Sequence, residues 1–526
     1  MKYKKIIIIP LIFLLIFLLF PLIILLSNVI NIETLNQVFI EKLIEALKNS
    51  ILISTIVSII SIIISYIVSY LIVRYHYKKK NLILMFLTLP MLVPTFTHAL
   101  GFISIWGRNG LFNNIFNSDI NIYGFGGIIL CLICYVLPIS LIMFVDLLSS
   151  EDQTPYRVAD TLGIPKYSQF IHIKIPYILK PTLFIMFTIF TMAITDYGIP
   201  MMIGGNTITL TTMIYEQIVG RLNFANGSLI GLLLLVPAII MFILGLLIKK
   251  HNSSEYKLED EIQKNSTLKI LSILIFVITF IFITFPLVSC VLISFMNKFP
   301  LDLSFSLTHA IRVIKEGYLK YLLNSIIISF LSATLGIILS FVMSYIVTRI
   351  NDKKLYKILH LLAIFTTSVP GIVLAVSYMF AFNKSIIYGT IIILIIINTV
   401  HYMGNPYLIL FNKLCNIDKT IEKTASTLGI PKKNIIFDVI IPQILPSLIE
   451  GFCYIFVNTM ASVTTMLFLS TAFTKPLALV IVELEAHNFI EMASFVSLII
   501  LITNISIKNL VILFSKKYNL NKSNSI

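Results

Sequence analysis

Asp196 is the one acid inside the fifth long apolar segment of this chain. It stands in the run Thr195-Asp196-Tyr197-Gly198-Ile199-Pro200, where Gly198 and Pro200 interrupt a helix and leave backbone groups in need of partners. A charge at membrane depth costs at least about 2.5 kcal/mol, so Asp196 must face protein or water. Two roles fit it. With Tyr197 and Gly198 it lines a solute path or gate, or it caps the neighbouring helix end and meets no solute. Gly204-Gly205, followed by Asn206, is a tight outer turn or a weak anion site. His98 and His401, the latter beside Tyr402, are pathway groups or hydrogen-bonded packing residues. Cys131 and Cys134 have the spacing of a metal or redox pair, but no His or acid lies nearby in the segment. They read as small apolar packing residues.

Other chemistry lacks its residues. There is no G-x-x-x-x-G-K-[ST] phosphate loop, no H-E-x-x-H and no Cys/His metal cluster. The chain is therefore not expected to be an enzyme, to bind ATP by itself, or to hold a metal or cofactor. The apolar segments also lack the paired carboxylates or basic residues of an ion-coupled carrier.

The elements that must position these residues are membrane helices. Of 526 residues, 58% are hydrophobic and 12% charged, with mean hydropathy +0.98. That composition predicts an all-α polytopic membrane protein. Twelve spans are expected, at 6–30, 51–73, 82–105, 124–148, 182–203, 228–248, 268–291, 322–348, 358–382, 388–410, 447–472 and 492–514. The first is too long for a signal peptide and no small-residue cleavage site follows it. Pro90, Pro94, Pro138, Pro237, Pro286 and Pro370 are expected to kink spans. With the N-terminus inside, 29 of the 39 Lys and Arg fall on inner segments, which predicts both termini to be cytoplasmic. The net charge of +15 is then explained by basic loops against an anionic leaflet, not by nucleic acid.

The chain repeats itself. Asn49-Ser50 recurs as Asn324-Ser325 and Arg74 as Arg349, all 275 positions on, and Val93-Pro94 as Val369-Pro370 at 276. Such ordered landmarks indicate an internal duplication. Each half carries an even number of spans, which predicts two parallel, pseudo-symmetric six-helix halves. The expected division is a first half at 1–250, a polar cytoplasmic linker at 251–269 with a helical turn around 256–263, and a second half at 270–526.

The sharpest repeat is the hexapeptide Thr-Leu-Gly-Ile-Pro-Lys, at 161–166 and 427–432. Ala159 and Ala425 precede its glycines, Gly163 and Gly429, by four positions. Pro165 and Pro431 lie within it, and Pro176 and Pro442 follow. In 155–181 the pattern predicts a short helix begun at Pro155, ended by a left-handed Gly163 and barred from continuing by Pro165. A second short helix over 166–174 should then lead to Pro176. Residues 421–446 repeat the unit. Small Ala and Gly at the turn would admit another protein's surface.

These residues resemble the cytoplasmic loop of the membrane permeases of binding-protein-dependent ATP-binding-cassette importers, E-A-A-x-x-x-G-(x)9-I-x-L-P. Ala159, Gly163, Ile173 and Pro176 match it, and so do Ala425, Gly429, Val439 and Pro442. Arg157 and Lys423 stand in place of the family's Glu, Val158 and Thr424 in place of its first Ala. The resemblance spans the chain, as two fused permease halves. It implies that residues 155–181 and 421–446 are coupling loops, each resting on one of two ATPase subunits that bind ATP and Mg. It also implies an external substrate-binding (lipo)protein and a bacterial plasma (inner) membrane location.

A second run, 195–224, is similar to the Asp-aromatic-Gly segment of fused permeases for ferric iron, thiamine and 2-aminoethylphosphonate. Tyr215-Glu216-Gln217, Asn223-Phe224 and Ala159-Asp160-x-Leu162-Gly163 look most like the phosphonate group. Importer permease for a small solute, with a phosphonate foremost and ferric iron or thiamine as alternatives, is thus the expectation. An ion-coupled secondary transporter, or a membrane-embedded enzyme or scaffold, is the rival class.

Overall fold

The computed structural model describes residues 2–30, 36–75, 80–247, 266–349 and 353–523. The protein is a helical membrane protein. Among the described residues nine helices are long and apolar enough to cross a bilayer, ten if the bent pair Ile391–Tyr402 and Gly404–Cys415 is one span. Lipid offers no hydrogen bonds, so each crossing backbone satisfies itself as a helix. One exception to helix is a two-stranded antiparallel ribbon, Met296–Lys298 with Asp302–Phe305.

The twelve-span expectation is not met by unbroken helices. Residues 82–105 form two short helices, Lys80–Leu87 and Thr95–Trp106, and 358–382 likewise split into Lys353–Phe365 and Gly371–Phe382. The breaks are built by proline. Pro94 and Pro370 each stand in extended backbone before the second helix, which suits a residue that cannot donate to the preceding turn. Pro138, Pro237 and Pro286, by contrast, sit inside continuous helices. Residues 256–263 of the expected linker lie outside the described residues.

Two long stem helices, Gln37–Tyr75 and Leu319–Arg349, organise their surroundings. Both turn a stripe of small residues inward. In the first it is Ser50, Ser54, Ser58, Ser61, Ser65 and Ser69. In the second it is Ser325, Ser329, Ala333, Gly336, Ser340 and Ser344, each 275 positions on. Isoleucines and leucines such as Ile59, Ile63 and Ile338 point out. Small residues let neighbouring helices approach where lipid gives no hydrophobic drive between them. Ser69 Oγ donates to the Leu141 carbonyl at 3.2 Å, and Ser340 Oγ to the Met403 carbonyl at 2.9 Å.

The chain forms two compact units that do not follow the division at 250. One comprises Thr34–Gly220 and Val236–Phe305, the other Met1–Glu33, Arg221–Leu235 and Ser306–Ile526. The opening span of each sequence half packs with the other half's residues. In one unit the Tyr378 hydroxyl donates to the Phe17 carbonyl at 2.5 Å, and Phe382 meets Phe17 and Phe20. In the other, Phe102 and Phe285 rings lie 4.7 Å apart. There Gly101 lies so close to Pro286 that a Cβ would stand 2.1 Å from its carbonyl oxygen.

Candidate functional site

The repeated hexapeptides form two matching elbows. The elbow helices are Thr154–Thr161 and Thr420–Thr427. Gly163 and Gly429 follow with φ of +70° and +71°. At the first, Gly163 N–H donates to Asp160 O at 3.1 Å and Ile164 N–H to Ala159 O at 2.9 Å. At the second, Gly429 N–H donates to Ser426 O at 3.2 Å and Ile430 N–H to Ala425 O at 3.0 Å. Each is a Schellman cap, which satisfies end carbonyls and requires a left-handed residue. Pro165 and Pro431 then hold extended backbone at φ −64° before the chain turns helical again. Pro176 and Pro442 are the second residues of Ile175–Thr195 and Ile441–Ala461, directly after a helical turn in each case.

The expected separate helix over 166–174 is not separate. From Lys166 the chain runs through a π-helical turn, Phe170–Lys174, into a continuous helix ending at Thr195. Lys432–Ala461 repeats this through the turn Ile435–Ile440. An inserted residue in a π turn shifts the helical face, and this one swings each span round without a break.

Of the small residues at the turn, Gly163 and Gly429 are exposed while the alanines face inward. Ala159 is buried, and Ala425 packs against a cluster containing Leu410, Leu414 and Ile435. A Cβ on either glycine would meet nothing within 4 Å, so both are there for their backbone angle. Among the exposed elbow residues are large apolar ones. Leu162 is 70% exposed and Leu428 71%, at the same place in each hexapeptide. Val158, Tyr167 and Phe437 are exposed beside them. Sequence reading passed over both leucines, although their repetition within the hexapeptide was the signal.

The first elbow has an added tie. Asp160 accepts from Lys166 Nζ at 2.6 Å and from Gln169 Nε2 at 2.7 Å, and Gln169 also donates to Ile164 O at 2.8 Å. The Lys166 and Gln169 bonds hold the Asp160 carboxyl below its ordinary value. Ser426 and Ile435 replace Asp160 and Gln169 in the second elbow.

The candidate gate residues stand together. Asp196 ends the helix Ile175–Thr195 and is buried. Its Oδ2 accepts from Ile199 N–H at 2.9 Å, its carboxylate is bonded by the Thr95 side chain, and Thr211 Oγ1 donates to its carbonyl at 2.8 Å. This is the geometry of a cap on Gly198–Ile203. A cavity of about 10 Å³ beside it is lined by Ser50, Ser54, Thr209 and Thr211 among others, room for one water. Tyr197 is wedged between the rings of Phe96 and Tyr215. Gly198 lies against Thr95 and Phe96, where a Cβ would stand 2.3 Å from Thr95 Oγ1. Gly204 N–H bonds the Pro200 carbonyl at 2.9 Å, and Gly205 takes φ +54°, completing a tight turn.

Both histidines serve the helix breaks. His98 Nε2 bonds the Pro90 carbonyl at 3.1 Å, and His401 bonds the Val369 carbonyl. Each thus meets a carbonyl that its proline-interrupted helix leaves unpaired. Cys131 and Cys134 are buried, with the Cys134 thiol donating to the Phe282 carbonyl.

Comparison with known proteins agrees with the duplication. The family described as binding-protein-dependent transport system inner membrane component matches residues 73–251 and again 334–519, each stretch containing one elbow. The ferric transport system permease protein FbpB of Actinobacillus pleuropneumoniae is 27% identical over 410 residues, 74% of this chain and 59% of that protein. A putative ferric transport system permease protein, FbpB 1 of Haemophilus influenzae, is 27% identical over 413 residues, 74% of this chain and 65% of its own length. The thiamine transport system permease protein ThiP of Brucella abortus is 28% identical over 148 residues, 26% of this chain and 27% of that protein. The chain thus spans less than two thirds of the length of the ferric relatives.

Proposed function

Because this chain belongs to the family of binding-protein-dependent transport system inner membrane components, we propose that it is the membrane-spanning subunit of an ATP-driven importer. The observation that carries this reading is the pair of matched elbows, each with the same cap and the same outward leucine, Leu162 and Leu428. One fused chain with two equivalent elbows suits two copies of an ATPase subunit. Each elbow helix would lie in an ATPase cleft with its leucine buried there. Closure of the two ATPases around ATP would draw the elbows together and change which side of the membrane the solute path faces. An external binding protein would deliver the solute, and the membrane would be the bacterial inner membrane.

Among solutes, Fe(III) leads, because the ferric relatives align over 74% of the chain. Thiamine is supported by the shorter match. The phosphonate expectation rests on the likeness of residues 195–224 and of Ala159-Asp160-x-Leu162-Gly163 alone. Asp196, Tyr197, Gly198, Gly204 and Gly205 are proposed to shape the path by holding its wall, since Asp196 uses its carboxylate on the Ile199 cap.

The test is co-purification of the ATPase encoded with this chain, using Leu162→Asp and Leu428→Asp. Exposed leucines are not needed for the fold, so the protein should remain stable and lose the ATPase. Uptake of radioactive Fe(III), thiamine and 2-aminoethylphosphonate by cells with and without the gene identifies the solute. Retention of the ATPase by the double variant, or uptake driven by an imposed ion gradient without ATP, would refute the reading.

A further inference from the structure

Each elbow carries a carboxylate paired with a largely buried cation from another element, and the two units place it differently. In the first, Glu151 just precedes the elbow helix and pairs with Lys174; their side chains are 5% and 10% exposed. The Tyr156 hydroxyl, on the elbow helix, donates to the same carboxylate at 2.6 Å. Lys174 closes the π turn that opens into Ile175–Thr195, and its ammonium lies 5.9 Å from the Tyr70 ring.

In the second unit the acid has moved onto the elbow helix. Glu422 occupies the position of Tyr156, 266 residues on, and Ile417 that of Glu151. The Glu422 carboxylate accepts from Arg349 Nε at 2.7 Å and from the Tyr345 hydroxyl at 3.4 Å. Arg349 Nη2 also donates to the Ile417 carbonyl at 3.1 Å. The Arg349 side chain is 5% exposed and Glu422 23%. Tyr345 and Arg349 end the second stem helix and are the counterparts of Tyr70 and Arg74. Yet Arg74 is exposed, while Arg349 is drawn under the elbow.

Resting on the docking of the elbows to ATPases, we propose that these pairs are latches that carry the movement of each elbow helix into different parts of the protein. The Glu151–Lys174 pair ties the first elbow to the span that follows it, Ile175–Thr195. The Glu422–Arg349 pair ties the second elbow to the stem helix that precedes it, Leu319–Arg349. The elbow helices are otherwise largely exposed, with Ala159 or Ala425 facing in. A shielded ion pair resists separation far more than a solvated one, because parting it strands a charge away from water. One motor stroke thus pulls on a span that follows in one unit and one that precedes in the other.

Hydrogen–deuterium exchange of the purified complex with its ATPase, without nucleotide and with ATP plus orthovanadate, tests this. The wild-type complex should show nucleotide-dependent changes at 154–161 and 175–185, and at 420–427 and 340–349. Glu422→Gln should keep the ATPase and the change at 420–427, while the change at 340–349 falls about tenfold. The responses at 154–161 and 175–185 should persist. Glu151→Gln should do the reverse, silencing 175–185 alone. Combining Glu422→Arg with Arg349→Glu should restore the response. If Glu422→Gln does not fold, Arg349→Gln, which neutralises the other partner of the pair, carries the same comparison. An undiminished response at 340–349 in a neutral variant that retains the ATPase overturns the latch. So does loss of the ATPase from the neutral variants only, which makes the pairs docking determinants. Absence of the ATPase from the wild-type complex instead overturns the docking on which the latch rests.

Discussion

The N–H of Leu210 donates to the hydroxyl of Ser50 at 2.9 Å. Leu477 and Ser325 repeat the bond at 2.7 Å in the other unit. Leu210 and Leu477 are first residues of helices, whose opening N–H groups have no intrahelical partner. The neighbouring asparagines complete the arrangement. Asn49 Nδ2 donates to Ile208 O at 3.1 Å, and Asn324 Nδ2 to Phe473 O at 2.8 Å. The duplicated Asn-Ser pair is therefore a splice between a stem helix and a distant helix start. Ser50→Ala and Ser325→Ala each strand a buried N–H and should cost about 1–3 kcal/mol. Thermal unfolding in detergent should show a lowered midpoint for both, and Thr at either position should recover part of it.

Gly163 and Gly429 separate backbone demand from space. Both have positive φ and open surroundings. Asn tolerates that conformation, whereas a β-branched residue pays roughly 1–2 kcal/mol. Gly163→Asn and Gly429→Asn should therefore keep ATPase binding. The Val variants should fray the Schellman bonds and weaken binding, read from co-purified ATPase, with the rest of the protein equally stable.

What sequence could and could not show follows from where the signals lie. Gly163, Pro165 and their repeats carry local backbone rules, so the elbow caps were legible. The class of fold was legible from apolar length. Pro94 and Pro370 were legible as kinks but not as full breaks, because hydropathy runs on through them. Nor was the exchange of opening spans, which depends on contacts such as Tyr378 with Phe17, 361 positions apart. Glu422 and Arg349 are 73 apart. Arg349 was visible only as a repeat landmark, since its partner acid sits at a position that the other half fills with Tyr156.

Gly101 is limited by space. A Cβ there would stand 2.1 Å from the Pro286 carbonyl oxygen and 2.6 Å from its Cα, both backbone atoms that cannot turn aside. The helix Ser266–Ile293 would have to move away, breaking the bond of Ser289 Oγ to Gly101 O at 3.1 Å. Gly101→Ala should cost about 1–3 kcal/mol as overpacking, and Gly101→Leu more. Gly126, with nothing within 4 Å of its Cβ position, is the control. Detergent-solubilised yield and unfolding midpoint should fall in the order Gly126→Ala, Gly101→Ala, Gly101→Leu.

Acid should loosen both elbows through Asp152 and Asp418, which accept from Thr154 and Thr420 and are held below the ordinary carboxylate value, and should loosen the first elbow further through Asp160. Asp160 is held below its ordinary value of 3.8 by its bonds to Lys166 and Gln169. A carboxyl whose folded value is depressed contributes stability above its unfolded value, and that contribution is lost as pH falls through the folded value. The effect thus lies below about pH 4. Asp160 is solvent-exposed, so screening keeps it small and sensitive to salt. Ser426 holds the equivalent place in the second elbow and has no such titration. Amide exchange at 154–169, corrected for its intrinsic pH dependence, should lose protection as the pH falls below about 4. Asp160→Asn should show reduced protection already at neutral pH and only the smaller further loss that Asp152 supplies. Residues 420–435 should show only the step from Asp418, smaller than the loss in the first elbow, and equal loss in both elbows would assign the effect to something other than Asp160.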